Sequence, residues 1–145
     1  MTTAQSIRKG PNLPGALTVT LDYDGRLLRR KRLVSDQGEA LMVDLAEMVS
    51  LDHLDALVLA DGRLVTVLAA PEVLYAVSGP LVRLAWHIGN RHTPCQIEAE
   101  RLLIRADPVL KLMLHGLGAT VTEVTEPFRP EGGAYGHGRT FGHEH

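Results

Sequence analysis

Apolar and polar positions along this chain follow two different periods. From Ala16 the pattern has a period of two: Leu17, Val19 and Leu21 alternate with Thr18, Thr20 and Asp22, as in a half-buried strand. Asp24-Gly25 follows, a pair suited to a tight hairpin turn because both positions tolerate positive φ, with a return arm from Arg26 to Val34. A second hairpin is written more plainly, as Val- and Leu-rich runs at Ala56–Ala60 and Arg63–Ala69 separated by Asp61-Gly62. Residues 16 to about 70 therefore read as a small β domain. Met1 to Gly15, rich in Thr, Gly and Pro, are expected to fray.

After Pro71 the period changes. Glu72–Val77 suits a short strand. Ser78-Gly79-Pro80 opens a helix in which Leu81, Leu84, Ala85 and Ile88 form one apolar stripe, and Gly89-Asn90 is expected to end it. Cys95–Ala99 and Arg101–Arg105 read as two strands joined by a turn. Asp107-Pro108 caps a second helix, whose stripe is Leu110, Met113, Leu114 and Leu117, closed by Gly116 and Gly118. Ala119–Thr125 alternates again. The order β-α-β-β-α-β is the split-βαβ, ferredoxin-like arrangement. The expected fold is thus α+β: a β-rich domain over 1–71, a ferredoxin-like domain over 72–126, and a flexible, histidine-bearing tail over 127–145 marked by Gly132, Gly133, Gly136, Gly138 and Gly142.

Composition narrows the class. Of the 145 residues 45% are hydrophobic and 22% charged, so a packed core is expected; with only 4% aromatic, Leu, Val, Ile and Ala must build it. A net charge of -2 supplies no general attraction to nucleic acid or an anionic membrane. The single cysteine, Cys95, excludes an internal disulfide framework and fits a reducing cytosol. No apolar stretch resembles a signal peptide or a membrane span, so a cytoplasmic protein is expected.

Candidate chemistry rests on seven histidines. His137, His143 and His145 sit at the chain's end, and His143-Glu144-His145 would place two imidazoles on one side of an extended segment. Imidazoles suit Ni, Cu and Zn, though an inert polar tail would look the same. His92 continues the first helix's apolar stripe by spacing, which suits a buried histidine. It also stands in a sharp helix-to-strand turn, Gly89-Asn90-Arg91 before it and Thr93-Pro94 after it, which could project a side chain outward. His87 reads as structural, and His53 and His115 stand isolated. Cys95 reads as a buried thiol. Arg29-Arg30-Lys31-Arg32 suits either a protected edge strand or a patch for an acidic partner. Zinc-helix, phosphate-loop and nucleophile-elbow motifs are absent. A binding protein is expected rather than an enzyme. The alternatives are an assembly chaperone or peptide-binding module with incidental histidines and, more weakly, a metal-dependent hydrolase.

Trp86-His87-Ile88-Gly89-Asn90-Arg91-His92-Thr93-Pro94-Cys95-Gln96-Ile97 strongly resembles the urease accessory protein E family, nickel metallochaperones of urease maturation. The resemblance continues at Asp107–Leu110, Met113-Leu114 and Leu117–Ala119, and ends at Pro127–Glu131 and Gly132–Gly136. It implies a peptide-binding-like β domain and a ferredoxin-like domain through which a homodimer forms. The residue matching His92 then lies near the two-fold axis and gives one metal ligand per subunit. Tail histidines complete the site, here His143 and His145, with His137 a further candidate. The implied cargo is Ni(II), with Zn(II) or Cu(II) able to compete. The implied partner is the complex of urease apoprotein and accessory proteins, including a GTPase, with no role for nucleic acid or membrane. The chain departs from some relatives in having no histidine in Ile104–Pro108 and only three in its tail, which puts a peripheral metal site and a nickel-storage role in doubt.

Overall fold

The computed structural model describes residues 1–132; residues 133–145 lie outside it, and with them His137, His143 and His145. The chain divides into two compact units, Met1–Ala70 and Pro71–His145. Both contain β-sheet, and the two α-helices belong to the second, so the class is α+β.

The first unit holds β1 (Thr2–Arg8), β2 (Leu17–Leu21), β3 (Leu27–Val34), β4 (Ala40–Ser50), β5 (Ala56–Leu59) and β6 (Leu64–Ala69) in one mixed sheet, ordered β2-β6-β5-β1-β4-β3. Leu17, Val19, Leu41, Val43, Leu57, Leu59, Val65 and Val67 supply much of its core. The Asp61-Gly62 hairpin forms as expected: β5 and β6 pair antiparallel, with Gly62 at φ +90.

Two expectations are overturned. Thr2–Arg8 does not fray; β1 is an interior strand, parallel to β4 and antiparallel to β5, with Ala4 fully buried. Its sequence is mostly polar, and it is held by backbone ladders on both sides rather than by a continuous apolar face. Asp24-Gly25 makes no hairpin either. Asp24–Arg26 is a 3-10 turn in which Gly25 N–H donates to Asp22 Oδ1 at 2.7 Å. The Arg26 guanidinium is buried and donates to the carbonyls of Leu21 and Leu51, at 3.0 and 3.1 Å. A buried guanidinium needs such acceptors, and meeting them ties the turn to the loop after β4. β2 therefore pairs parallel with β6 and β3 antiparallel with β4.

The two outer strands are handled differently. At β2, Thr18 O accepts from Asp36 N–H at 2.8 Å, and the Thr18 and Thr20 hydroxyls donate to Asp36 Oδ2 at 2.7 and 2.8 Å. At β3 the block Arg29–Arg32 is exposed, with Arg30 paired to Asp44 at 3.1 Å. Charged residues on an outer strand oppose edge-to-edge association.

The second unit runs β7 (Pro71–Ser78), α1 (Leu81–Asn90), β8 (Gln96–Ile97), β9 (Leu102–Arg105), α2 (Pro108–Gly116) and β10 (Thr120–Pro127). Its sheet is ordered β10-β7-β9-β8, with every neighbouring pair antiparallel. Tyr75 and Val77 of β7 and Leu102 and Ile104 of β9 pack with Leu84 and Ile88 of α1 and Leu110 and Leu114 of α2. The helix residues among them belong to the two apolar stripes that the periodicity marks. Asp107 caps α2 by accepting from the N–H groups of Val109 and Leu110 at 2.9 and 3.3 Å.

The residues from Pro127 to Glu131 are not a free tail. Pro127 closes β10, opposite Pro71, and Phe128 is fully buried. Arg129 N–H then donates to Gln96 Oε1 at 2.7 Å and Glu131 N–H to Cys95 O at 2.8 Å. Glycine spacing begins only after these bonds, which is why composition placed the boundary too early.

Candidate metal centre

α1 carries its buried stripe on one side and leaves Val82 and Trp86 89% and 64% exposed on another. The helix ends at Asn90, as the Gly89-Asn90 pair leads one to expect. Arg91 is its C-cap, and His92 takes φ +55. His92 N–H donates to Gly89 O at 3.0 Å and Thr93 N–H to Ile88 O at 3.4 Å. This pair of bonds is the Schellman motif, whose left-handed position glycine usually fills because a Cβ is strained there. Histidine is among the side chains that tolerate the region.

The left-handed turn settles which way His92 points. Although its spacing from Ile88 would place it on the buried stripe, the backbone reverses before it and its side chain is exposed. The ring therefore stands outside the core on backbone tied by two hydrogen bonds. Nothing in the helical periodicity shows this; the sharp Gly-Asn-Arg-His-Thr-Pro turn after the stripe is the sequence signal that allows it.

The other histidines of the described residues do not join it. His87 is half-buried and meets the Trp86 ring edge-on, with centroids 5.0 Å apart. His53 Nδ1 accepts from Ala69 N–H at 3.0 Å, a structural role. His115 is exposed near the end of α2. Cys95, three positions from His92, has its thiol pushed up to about 11 by burial and then by the nearby Glu131 carboxylate. It stays a thiol at neutral pH rather than the thiolate that binds metals. Among the described residues no three His, Cys, Asp or Glu side chains gather as a metal would require. Among the described residues of one protomer His92 and His115 are the exposed imidazoles, and neither belongs to a group of three side chains that could hold a metal.

Sequence reasoning missed the neighbouring group of polar contacts. Gln96 Nε2 donates to Glu98 Oε2 at 2.8 Å, Arg101 pairs with Glu98 at 2.9 Å, and Arg101 also pairs with Glu126 of β10 at 2.6 Å. The Arg101 guanidinium holds the Glu126 carboxyl below the usual range. Strand alternation puts these residues on the face away from the helices, where no motif announces them. Among the described residues no helix is long and apolar enough to cross a membrane.

Residues 3–70 match the family model described as UreE urease accessory protein, N-terminal domain, and residues 67–145 match that of its C-terminal domain. The chain is 65% identical over 132 residues to a urease accessory protein UreE of Cereibacter sphaeroides, covering 91% of this chain and 72% of that one. It is 64% identical over 128 residues to that of Ruegeria pomeroyi, covering 88% and 86%. With that of Paracoccus denitrificans the figures are 62% over 134 residues, 92% and 86%.

Proposed function

The chain belongs to the urease accessory protein UreE family, and we propose that it carries Ni(II) as cargo, bound at a two-fold interface through His92 and passed to the urease maturation complex. The observation that carries this reading is an exposed imidazole held at positive φ on a hydrogen-bonded helix end. Residues held in sparsely populated backbone regions cluster at functional sites. A lone surface imidazole binds metal weakly, but a two-fold axis brings two without further sequence.

The second unit, read as ferredoxin-like from its βαββαβ order and its β10-β7-β9-β8 sheet, is the dimerising half. The exposed Val82 and Trp86 on α1, the helix that precedes His92, supply an apolar surface for the partner copy. The first unit is read as the peptide-binding-like half, spanning 1–71, and 127–145 as the segment bearing the remaining ligands. His143 and His145, with His137, complete the nitrogen set; all three lie outside the described residues. Ligands on a chain end can leave one at a time, which suits a carrier more than a closed cage does. Zn(II) and Cu(II) compete for such a set, so delivery specificity rests with the partners, the urease apoprotein complex and its GTPase. The role is delivery, not catalysis, in the cytoplasm.

Nickel titration of the protein, of His92→Ala and of a chain ending at Gly136 tests this. About one tightly held ion per dimer is expected, lost in His92→Ala and weakened in the shortened chain. Unchanged binding in His92→Ala removes His92 from the site. Binding should also fail below about pH 6, since imidazole must be neutral to ligate.

A further inference from the structure

We infer that the bare outer edge of β3 is a docking strand for an acidic, extended segment of a partner protein, which adds to the first sheet alongside Arg30–Val34. The inference rests on the reading of the first unit as peptide-binding-like and names the strand and the ligand chemistry. It does not depend on the nickel site.

The first sheet has two outer strands, and the fold shelters one of them. Along β2, Gln37 Oε1 accepts from Thr18 N–H at 2.9 Å, and Asp36 bonds the Thr18 carbonyl and both threonine hydroxyls. Along Arg30–Val34 of β3, among the described residues, backbone hydrogen bonds run only to β4. β3 is eight residues long, and after a register shift between Leu28 and Arg30 its pairing with β4 is unbroken as far as Val34. On an antiparallel edge strand every second residue turns its N–H and C=O outward, where another strand can take them.

Charge selects the occupant. Arg29, Arg30, Lys31 and Arg32 are all exposed, on a chain whose net charge is -2. Arg29 donates to Ala46 O at 3.2 Å and Arg30 pairs with Asp44 at 3.1 Å. Lys31 and Arg32 meet no carboxylate among the described residues. A second copy is opposed here, because its β3 would set the same cations against these. A strand rich in Glu or Asp instead neutralises them while it gains main-chain hydrogen bonds, the combination that gives strand addition both affinity and selectivity. Val34, 56% exposed at the end of the strand, adds an apolar contact. Edge protection alone asks only for charge, and lysine commonly supplies it. Here three of the four cations are arginines, whose planar fork matches a carboxylate with two hydrogen bonds.

Fluorescence anisotropy of a labelled, end-capped peptide, Val-Thr-Glu-Glu-Glu-Glu-Thr-Val, against the full chain tests this, with amide exchange locating the peptide. Binding should weaken as salt rises, and every second amide of Arg30–Val34 should exchange more slowly in the complex. Lys31→Glu combined with Arg32→Glu should weaken binding by about tenfold or more, since two attractions become two repulsions. Exchanging the peptide's glutamates for glutamines, or methylating its backbone amides, should cost about tenfold or more as well, and leaves the protein unaltered. Equal binding of the glutamine peptide would overturn the acidic docking strand while the peptide-binding reading stands. Binding unchanged by the double substitution, with exchange slowed elsewhere in the first unit, would do the same. Equal binding of the methylated peptide, or of a thymidine oligonucleotide of the same charge, would replace strand addition by a general attraction for anions and overturn it too. If neither the glutamate nor the glutamine peptide binds, the docking strand and the peptide-binding reading fail together.

Discussion

The two helices of the second unit end in the same backbone motif with different residues in it. After α2, Gly118 takes φ +88, its N–H donates to His115 O at 3.1 Å, and Ala119 N–H donates to Leu114 O at 3.0 Å. After α1, His92 occupies the equivalent place with equivalent bonds. A left-handed residue with a side chain costs about 1–2 kcal/mol relative to its right-handed form, a penalty glycine escapes. Glycine would relieve that backbone penalty at the end of α1, yet histidine stands there.

His92→Gly probes that contrast most sharply. With His92 as the proposed ligand, nickel affinity should fall by about a hundredfold or more, since a direct ligand matters at least as much as its outer-shell supports. Urea unfolding of the metal-free protein should meanwhile show it no less stable than the parent, and up to about 1 kcal/mol more so. A marked destabilisation would mean that His92 supports the fold, and the comparison would collapse. Gly118→Ala should err in the other direction, losing about 1–2 kcal/mol by the same measurement with nickel binding intact.

The helix starts differ as well. α1 begins at Pro80 with no side-chain cap, whereas α2 begins at Asp107, which accepts two N–H bonds. Asp107→Ala should cost about 1 kcal/mol, read from the unfolding midpoint. The smallest effect concerns Glu126. Its carboxyl is held below the usual range by Arg101, so the pair's contribution is present above the ordinary carboxylate pKa and disappears as pH falls through the lowered one. Glu126→Gln should flatten the acid limb of the melting temperature against pH. An unchanged limb would mean that the exposed pair contributes nothing to stability.

What could be read from the residues alone follows the range of the interactions. Asp61-Gly62 predicts its hairpin because the two strands it joins are neighbours in sequence. Asp24-Gly25 carries the same local signal and fails, because Arg26 answers to Leu51 and β2 answers to β6, both far along the chain. Thr2–Arg8 looks like a loose end because its strand character resides in its neighbours' ladders. The stripes of α1 and α2 and the Asp107 cap are local, and they appear where expected. At the candidate site, histidine identity and the helix-to-strand turn are visible in the sequence. The sign of φ at His92 and the path of 129–131 to β8 depend on backbone bonds that no residue type announces.

The parallel pairing of β2 with β6 also bears on how the first unit is made. Leu17 finds its partner in Val65, near the far end of the unit, while β1 must find both β4 and β5. Ladders between such distant segments close late, because the chain between them must first be ordered. During synthesis β2 therefore emerges long before the strand that completes it. Until β6 follows, the edge of β2 that faces it waits unpaired, while Thr18 and Thr20 can already bond Asp36 and Gln37 from the chain just made.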